Sequence, residues 1–165
     1  MLLEGSCHCR AVRFSVASHT PVPFMYCYCA VCRKTQGGGG YAVNLAGVTE
    51  TLEVTGRRNM TIYRAREALV DGGAEDDGLS PLRRHFCKKC GSALYAWDAR
   101  WPALLHPFAS AIDTPLPKTP EICHIMLDAA PAWAEVPKGK RHSHFDGYPE
   151  ESIEDWHKAR GLWQE

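Results

Sequence analysis

A mainly β fold with a short C-terminal helix is the architecture this sequence predicts, and three observations carry it. Short segments rich in β-branched and aromatic residues recur at close spacing, with glycine and asparagine between them. Seven of the eight cysteines fall into three tight clusters, the pattern of a chain stapled by metal. A single tail segment carries both helix start and helix stop signals.

The elements follow in chain order. Val12, Phe14 and Val16 alternate with Arg13 and Ser15, which predicts a half-buried strand. Residues 22–28 are aromatic and β-branched and run into a cysteine cluster. Residues 30–36 read as a short turn or helix, ended by four glycines, Gly37 to Gly40. Strand-like segments follow at 41–45, 51–55 and 59–63, punctuated by Gly47, Gly56 and Asn59. Residues 71–78 are acidic, glycine-rich and without apolar anchors, so they read as a surface loop. Further strands are expected at 83–86, 93–97, 104–109 and 122–127, with a proline-rich connection at 111–120. In the tail, Pro149 and two glutamates precede residues 152–160, Lys158 and Arg160 lie near the end, and Gly161 stops the run. That order of charges suits a helix dipole.

A length of 165 residues fits one domain, 1–165, with a real core. Hydrophobic residues at 45% and charged residues at 23% place the chain among soluble globular proteins. Formal net charge is zero, so nucleic acid and anionic membrane are not expected partners. Local basic runs remain at Arg33-Lys34 and at Arg83-Arg84-His85. No run approaches the ~20 apolar residues of a membrane span. The first residues lack the basic start and apolar stretch of a signal peptide, so the expected location is cytoplasmic. There thiols stay reduced, and clustered cysteines point to metal or catalysis rather than disulfides.

Cys7 and Cys9 form a C-x-C, and on a strand residues i and i+2 would aim both sulfurs one way. Cys87 and Cys90 form a C-x-x-C followed by Gly91, with knuckle spacing and a glycine where the chain turns. Lys88 and Lys89 between them offset thiolate charge. Cys27, Cys29 and Cys32 form a C-x-C-x-x-C, three ligands from one segment with a fourth position left over. Water, a substrate thiolate, a carbonyl oxygen or a further side chain can fill that position. Cys123, His8, His85, His124, His142, His144 and His157 are the side-chain candidates. Spacing alone does not say which clusters share a metal. Outside the clusters, His106 and His124 read as hydrogen-bonded histidines, Cys123 as a small buried hydrophobe, and Trp133, Trp156 and Trp163 as packing residues.

Together the stretches 5–14, 27–37, 86–92 and 147–163 resemble the glutathione-dependent formaldehyde-activating enzyme family, also called S-(hydroxymethyl)glutathione synthase-like, which includes centromere protein V relatives. The resemblance implies two packed, mostly antiparallel sheets, a β-tent stapled by zinc. It assigns Cys7, Cys9, Cys87 and Cys90 to a structural zinc. It makes Cys27, Cys29 and Cys32 the catalytic ligands of a second, labile zinc near a glutathione site. The implied activity is a carbon–sulfur lyase or synthase reaction of glutathione with formaldehyde, with Arg33 or Lys34 holding a glutathione carboxylate. Two alternatives remain: a zinc protein that binds small thiols without turnover, and a protein-interaction module in which both zincs are structural. The acidic loop, the four-glycine run and the histidine-rich residues 141–144 depart from the family pattern. A thiol oxidoreductase is disfavoured, because Cys123 is the only cysteine outside the clusters.

Overall fold

The computed structural model describes residues 1–36, 38–66 and 77–163. Among these residues twelve strands form three sheets, accompanied by two short helices. The first sheet is antiparallel, in the order β1 (Leu2–Ser6), β2 (Arg13–Ala17), β6 (Glu53–Thr55). The second, also antiparallel, runs β5 (Gly47–Val48), β10 (Leu104–Pro107), β9 (Ala93–Asp98), β8 (Leu82–Cys87), β7 (Met60–Tyr63). The third is ordered β12 (His142–His144), β11 (Ile122–Ile125), β3 (Phe24–Cys27), β4 (Ala42–Asn44). Helix α1 (Ala30–Gln36) follows β3, and α2 (Ile153–Ala159) closes the chain.

The mainly β class and its mostly antiparallel pairing agree with expectation, but the strands divide among three sheets. In the third, β11 pairs parallel with both β3 and β12. Parallel neighbours need a crossover rather than a hairpin. Here the whole five-stranded sheet intervenes between β3 and β11 in sequence. Nine of the strands coincide with segments legible in the sequence. Strand β1 does not, because its inward residues are Leu3 and Gly5, and glycine carries no hydrophobic signal. Gly5 lies opposite Phe14, and a Cβ there would stand 2.4 Å from the Phe14 ring. Strand β12 is His-Ser-His, held by pairing to β11 rather than by apolar burial. Of the acidic loop, only Asp77 and Gly78 lie among the described residues, and Asp77 pairs with Arg64.

Two cores result. Leu3, Phe14, Val16, Leu45, Leu94, Tyr95 and Leu105 pack together between the first two sheets, with Cys7 and Cys87 among them. Phe14 meets Tyr95 edge to face at 5.3 Å. Met25, Cys27, Cys32, Ala42, Cys123, Ile125 and Met126 form the second core, between the third sheet and α1. Each cysteine site therefore borders a different core.

Helix α2 begins where Ser152 accepts the Asp155 N–H at 3.0 Å, a side-chain N-cap. Its Trp156 is buried, and the indole Nε1 donates to Glu121 Oε2 at 2.9 Å. Glu121 also accepts from Ser143 Oγ at 2.5 Å and Arg160 Nη2 at 3.4 Å. One carboxylate thus ties β12 and α2 to the strand end at β11. Trp163 stacks on His19 at 3.9 Å, whereas Trp133 is 65% exposed and lies over Gly40 instead of filling a core. No helix among the described residues is long and apolar enough to cross a membrane.

Two predictions follow from this packing. Burial pushes the Glu121 carboxyl pKa up, but the Ser143 and Trp156 hydrogen bonds and the Arg160 charge outweigh it and leave it below its ordinary value. A depressed carboxyl stabilises the fold above its unfolded pKa, and that contribution is lost as pH falls through the folded pKa. Glu121→Gln is expected to cost about 1–3 kcal/mol at pH 7, with the difference from wild type shrinking below pH 4. Urea unfolding at both pH values checks it, and a pH-independent difference contradicts it. Gly56 has φ +77°, and a Cβ there would stand 2.0 Å from the Ala11 carbonyl oxygen. Gly56→Ala should destabilise by about 2–4 kcal/mol, read from thermal denaturation.

Candidate functional site

Two hairpin turns bring four sulfurs together. Cys7 immediately follows β1, and Cys9 lies in the turn toward β2. Cys87 ends β8, and Cys90 lies in the turn toward β9. All four sulfurs lie within 4.8 Å of one another, with Cys7–Cys9 at 3.6 Å and Cys9–Cys87 at 3.8 Å. Four thiolates about 2.3 Å from a central zinc stand roughly 3.8 Å apart, so the donor set fits that ion.

The expectation that Cys7 and Cys9 share a strand is corrected here. The chain turns instead. Arg10 N–H donates to the Cys7 carbonyl at 2.8 Å, and Arg10 has φ +57°. The second turn repeats this design: Gly91 N–H donates to the Cys87 carbonyl at 2.8 Å, with Gly91 at φ +74°. Val12 N–H points at Cys7 Sγ at 3.2 Å. Asn59 locks the two turns to each other, donating through Nδ2 to the Ala11 carbonyl at 3.1 Å while its own carbonyl accepts Lys88 N–H at 2.8 Å. The Ser92 hydroxyl and nearby backbone pull the Cys90 thiol down to about 5. Lys88 and Lys89 are exposed beside it.

The second cluster is built from one segment. Cys27 is the last residue of β3, Cys29 precedes α1, and Cys32 lies in its first turn. Their sulfurs also lie within 4.8 Å of one another. Cys29 occupies the N-cap: its Sγ accepts the Cys32 N–H at 3.3 Å and its carbonyl accepts the Arg33 N–H at 3.1 Å. The thiols of Cys27 and Cys32 donate to Cys29, and with the Cys32 N–H and the Arg84 charge they lower its pKa to about 2. Cys27 is pushed up in turn by its hydrogen bond to Cys29. The first negative charge of the cluster therefore resides on Cys29. Cys27 and Cys32 are buried, whereas Cys29 is only half-buried and faces the outside.

None of the side-chain candidates for a fourth ligand joins the three sulfurs within that distance among the described residues. His124, fully buried, bonds Tyr28 Oη and His142 Nδ1, both at 2.9 Å. His85 stacks on Tyr95 at 4.5 Å, and His157 bonds the Val22 carbonyl at 2.5 Å. His144 bonds the Pro137 carbonyl at 2.9 Å. Burial and the adjacent Glu121 push the Cys123 thiol up to about 12, which suits a small buried hydrophobe.

Arg84 is the residue that sequence reasoning misplaced. It reads as part of an exposed basic run, yet it is 2% exposed, with Nη2 3.7 Å from Cys32 Sγ. Strict alternation back from Cys87 would turn Arg83 and His85 inward. Arg84 falls on the opposite face of β8, the one turned to Cys32; the irregularity at His85/Phe86 skips Leu94 on β9 and leaves β8 unbroken. Arg83 lies over the Trp97 ring at 5.3 Å. Arg84 pairs across the sheet with Ala96, and Ala96 with His106, so the three share a face. Burial holds the His106 imidazole below its ordinary pKa, so it is neutral at pH 7. Partial desolvation and the Cys27 sulfur push the phenol of Tyr148, a side chain that is 57% exposed, up to about 12, so it keeps its proton. Of the basic pair on α1, Arg33 is half-buried with Nε unpartnered, and Lys34 is exposed.

Comparison with known proteins identifies relatives of this chain. The family model described as glutathione-dependent formaldehyde-activating enzyme matches residues 2–128, which include all seven clustered cysteines and Arg84. A curated protein of Halomonas elongata, named "Putative glutathione-dependent formaldehyde-activating enzyme", is 55% identical over 163 residues, covering 98% of each chain. A crystal structure of a Rhodobacter sphaeroides protein shares the fold, with a TM-score of 0.50 and 21% identity over 70% of this chain and 92% of that one. On the matched length and the near-complete coverage by its relative, this chain belongs to the glutathione-dependent formaldehyde-activating enzyme family.

Proposed function

We propose that this protein joins glutathione to formaldehyde at a zinc ion held by Cys27, Cys29 and Cys32, with a second, structural zinc on Cys7, Cys9, Cys87 and Cys90. The observation that carries the reading is the contrast between the two donor sets: one supplies four sulfurs, the other three with its outermost thiol half-exposed. Four thiolates close a zinc site, and three leave a position for a reactant. When bound there, zinc supplies Lewis acidity to a thiol or a carbonyl oxygen.

The reaction forms one carbon–sulfur bond. The glutathione sulfur attacks the formaldehyde carbon, the carbonyl π pair moves to oxygen, and that oxygen takes up the proton the thiol gave up. No electrons are exchanged with a cofactor. The residues around the cluster suit this chemistry. Tyr148 keeps its proton and offers a donor to developing negative charge. Neutral His106 stands in the same row as Arg84, available for proton exchange. Arg33 and Lys34, one residue and two beyond Cys32, carry the positive charge a peptide carboxylate needs.

NMR exchange between glutathione, formaldehyde and their adduct tests the activity directly. Zinc-loaded wild type should accelerate exchange, and Cys29→Ser should return it to the uncatalysed background. Equal rates for both would remove the catalytic reading and leave a zinc protein that binds thiols. Metal analysis tests the division of labour. Wild type should hold about two zinc ions per chain. Cys87→Ser should lose one and drop the thermal midpoint by more than ~10 °C, because the four-sulfur site contributes folding free energy. Cys32→Ser should also lose one but stay within a few degrees of wild type. Equal destabilisation by both would make both sites structural.

A further inference from the structure

We infer that Arg84 is the anion-receiving residue of the three-cysteine centre: its guanidinium offsets the charge of the three thiolates, and its two free N–H edges bind the anionic sulfur or oxygen of the incoming thiol adduct. The inference rests on the three-cysteine centre holding a metal, as proposed above.

A buried guanidinium without a counter-charge is costly. Arg84 is 2% exposed, and none of its nitrogens forms an ion pair among the described residues. The nearby buried carboxylate, Asp98, is already engaged by Arg100 through contacts of 2.6 and 3.0 Å. Among the described residues the single hydrogen-bond partner of Arg84 is Cys32 Sγ at 3.7 Å, and Nε and Nη1 have none. Three thiolates around a divalent ion carry a net charge of minus one, which a single guanidinium cancels. An added thiolate or alkoxide then raises the buried charge to minus one rather than minus two.

The sheet is shaped to keep this guanidinium inside. Alternation along β8 puts Arg84 on the face turned to Cys32, opposite the face of Cys87, and its cross-strand neighbour there is the small Ala96. Two unsatisfied donors on a fully buried fork are rare in a folded protein, because each leaves a desolvated N–H unpaired. A planar fork also fits a sulfur and a second acceptor together, as a lysine ammonium does not.

The test uses full-length Arg84→Met and Arg84→Lys with cobalt(II) as the metal. Thiolate-to-cobalt absorption reports on each centre, and chelator competition reports affinity. The four-cysteine centre is the internal folding control. Arg84→Met should weaken cobalt at the three-cysteine centre roughly 10–100-fold and glutathione binding to the loaded centre by a similar factor. Arg84→Lys should restore most of the cobalt affinity, since the charge remains, but not the glutathione affinity, since the fork is lost. Neither readout needs formaldehyde, so a protein that proves inactive toward formaldehyde leaves this test intact. Glutathione affinity within twofold of wild type in both variants overturns the inference. If Arg84→Met does not fold, Arg84→Lys decides alone, and full glutathione binding by it is enough to reject the role.

Discussion

The convergence of two cysteine turns on one point constrains the rest of this molecule. Cys7 and Cys9 leave β1 for β2, Cys87 and Cys90 leave β8 for β9, and sulfurs from the two turns stand 3.8 Å apart. That meeting joins the first sheet to the second near the chain's beginning and middle. Asn59 and Gly56 make the approach possible, one by hydrogen bonds to both turns and the other by lacking a side chain where Ala11 passes. The main core then fills between sheets whose relative position is already set. A domain with short strands and few long helices depends on such a cross-link more than a larger one would.

The two cysteine groups differ in setting rather than in ligand type. The four-sulfur group has two exposed members and exposed lysines at its side, so solvent and Lys88 and Lys89 share its negative charge. The three-sulfur group is set in the second core, with Cys27 and Cys32 buried against Met25, Ala42 and Cys123. Water contributes little there, and charge must be balanced by the protein. That difference explains why a buried arginine accompanies the second group and not the first. It also explains the asymmetry within the cluster, where Cys29, nearest solvent and at a helix N-cap, holds the first charge.

The third sheet gives the open centre its surroundings. Its β3 delivers Cys27, and α1 follows at once with Cys32 in its first turn. Strand β11 runs parallel beside β3, and Glu121 at its start anchors both β12 and the final helix. The segment between β12 and α2 carries Tyr148, which meets Trp101 of the β9–β10 turn at 6.1 Å. Residues far apart in sequence therefore line one cluster because the second sheet, through Arg84, meets the third there.

Much of this was legible before any coordinates. Alternating apolar residues marked most of the strands, the residues around Ser152 and Gly161 marked α2, and cysteine spacing separated two pairs from a triple. These signals are local: period-2 burial, cap chemistry and i to i+3 ligand pairs all act within a few residues. What tertiary structure alone decided depends on contacts across the chain. The turn geometry of Cys7–Cys9 is set by the need to meet Cys87, a partner the C-x-C spacing does not reveal. Strand β1 is invisible because Gly5 is inward only where Phe14 covers it, and the parallel pairing of β11 depends on a crossover. Arg84 is the clearest case. Its residue type reads as surface charge, but both faces of β8 are covered, Cys87 lying in the first core and Arg84 against Cys32, so plain alternation buries it beside the three-cysteine cluster.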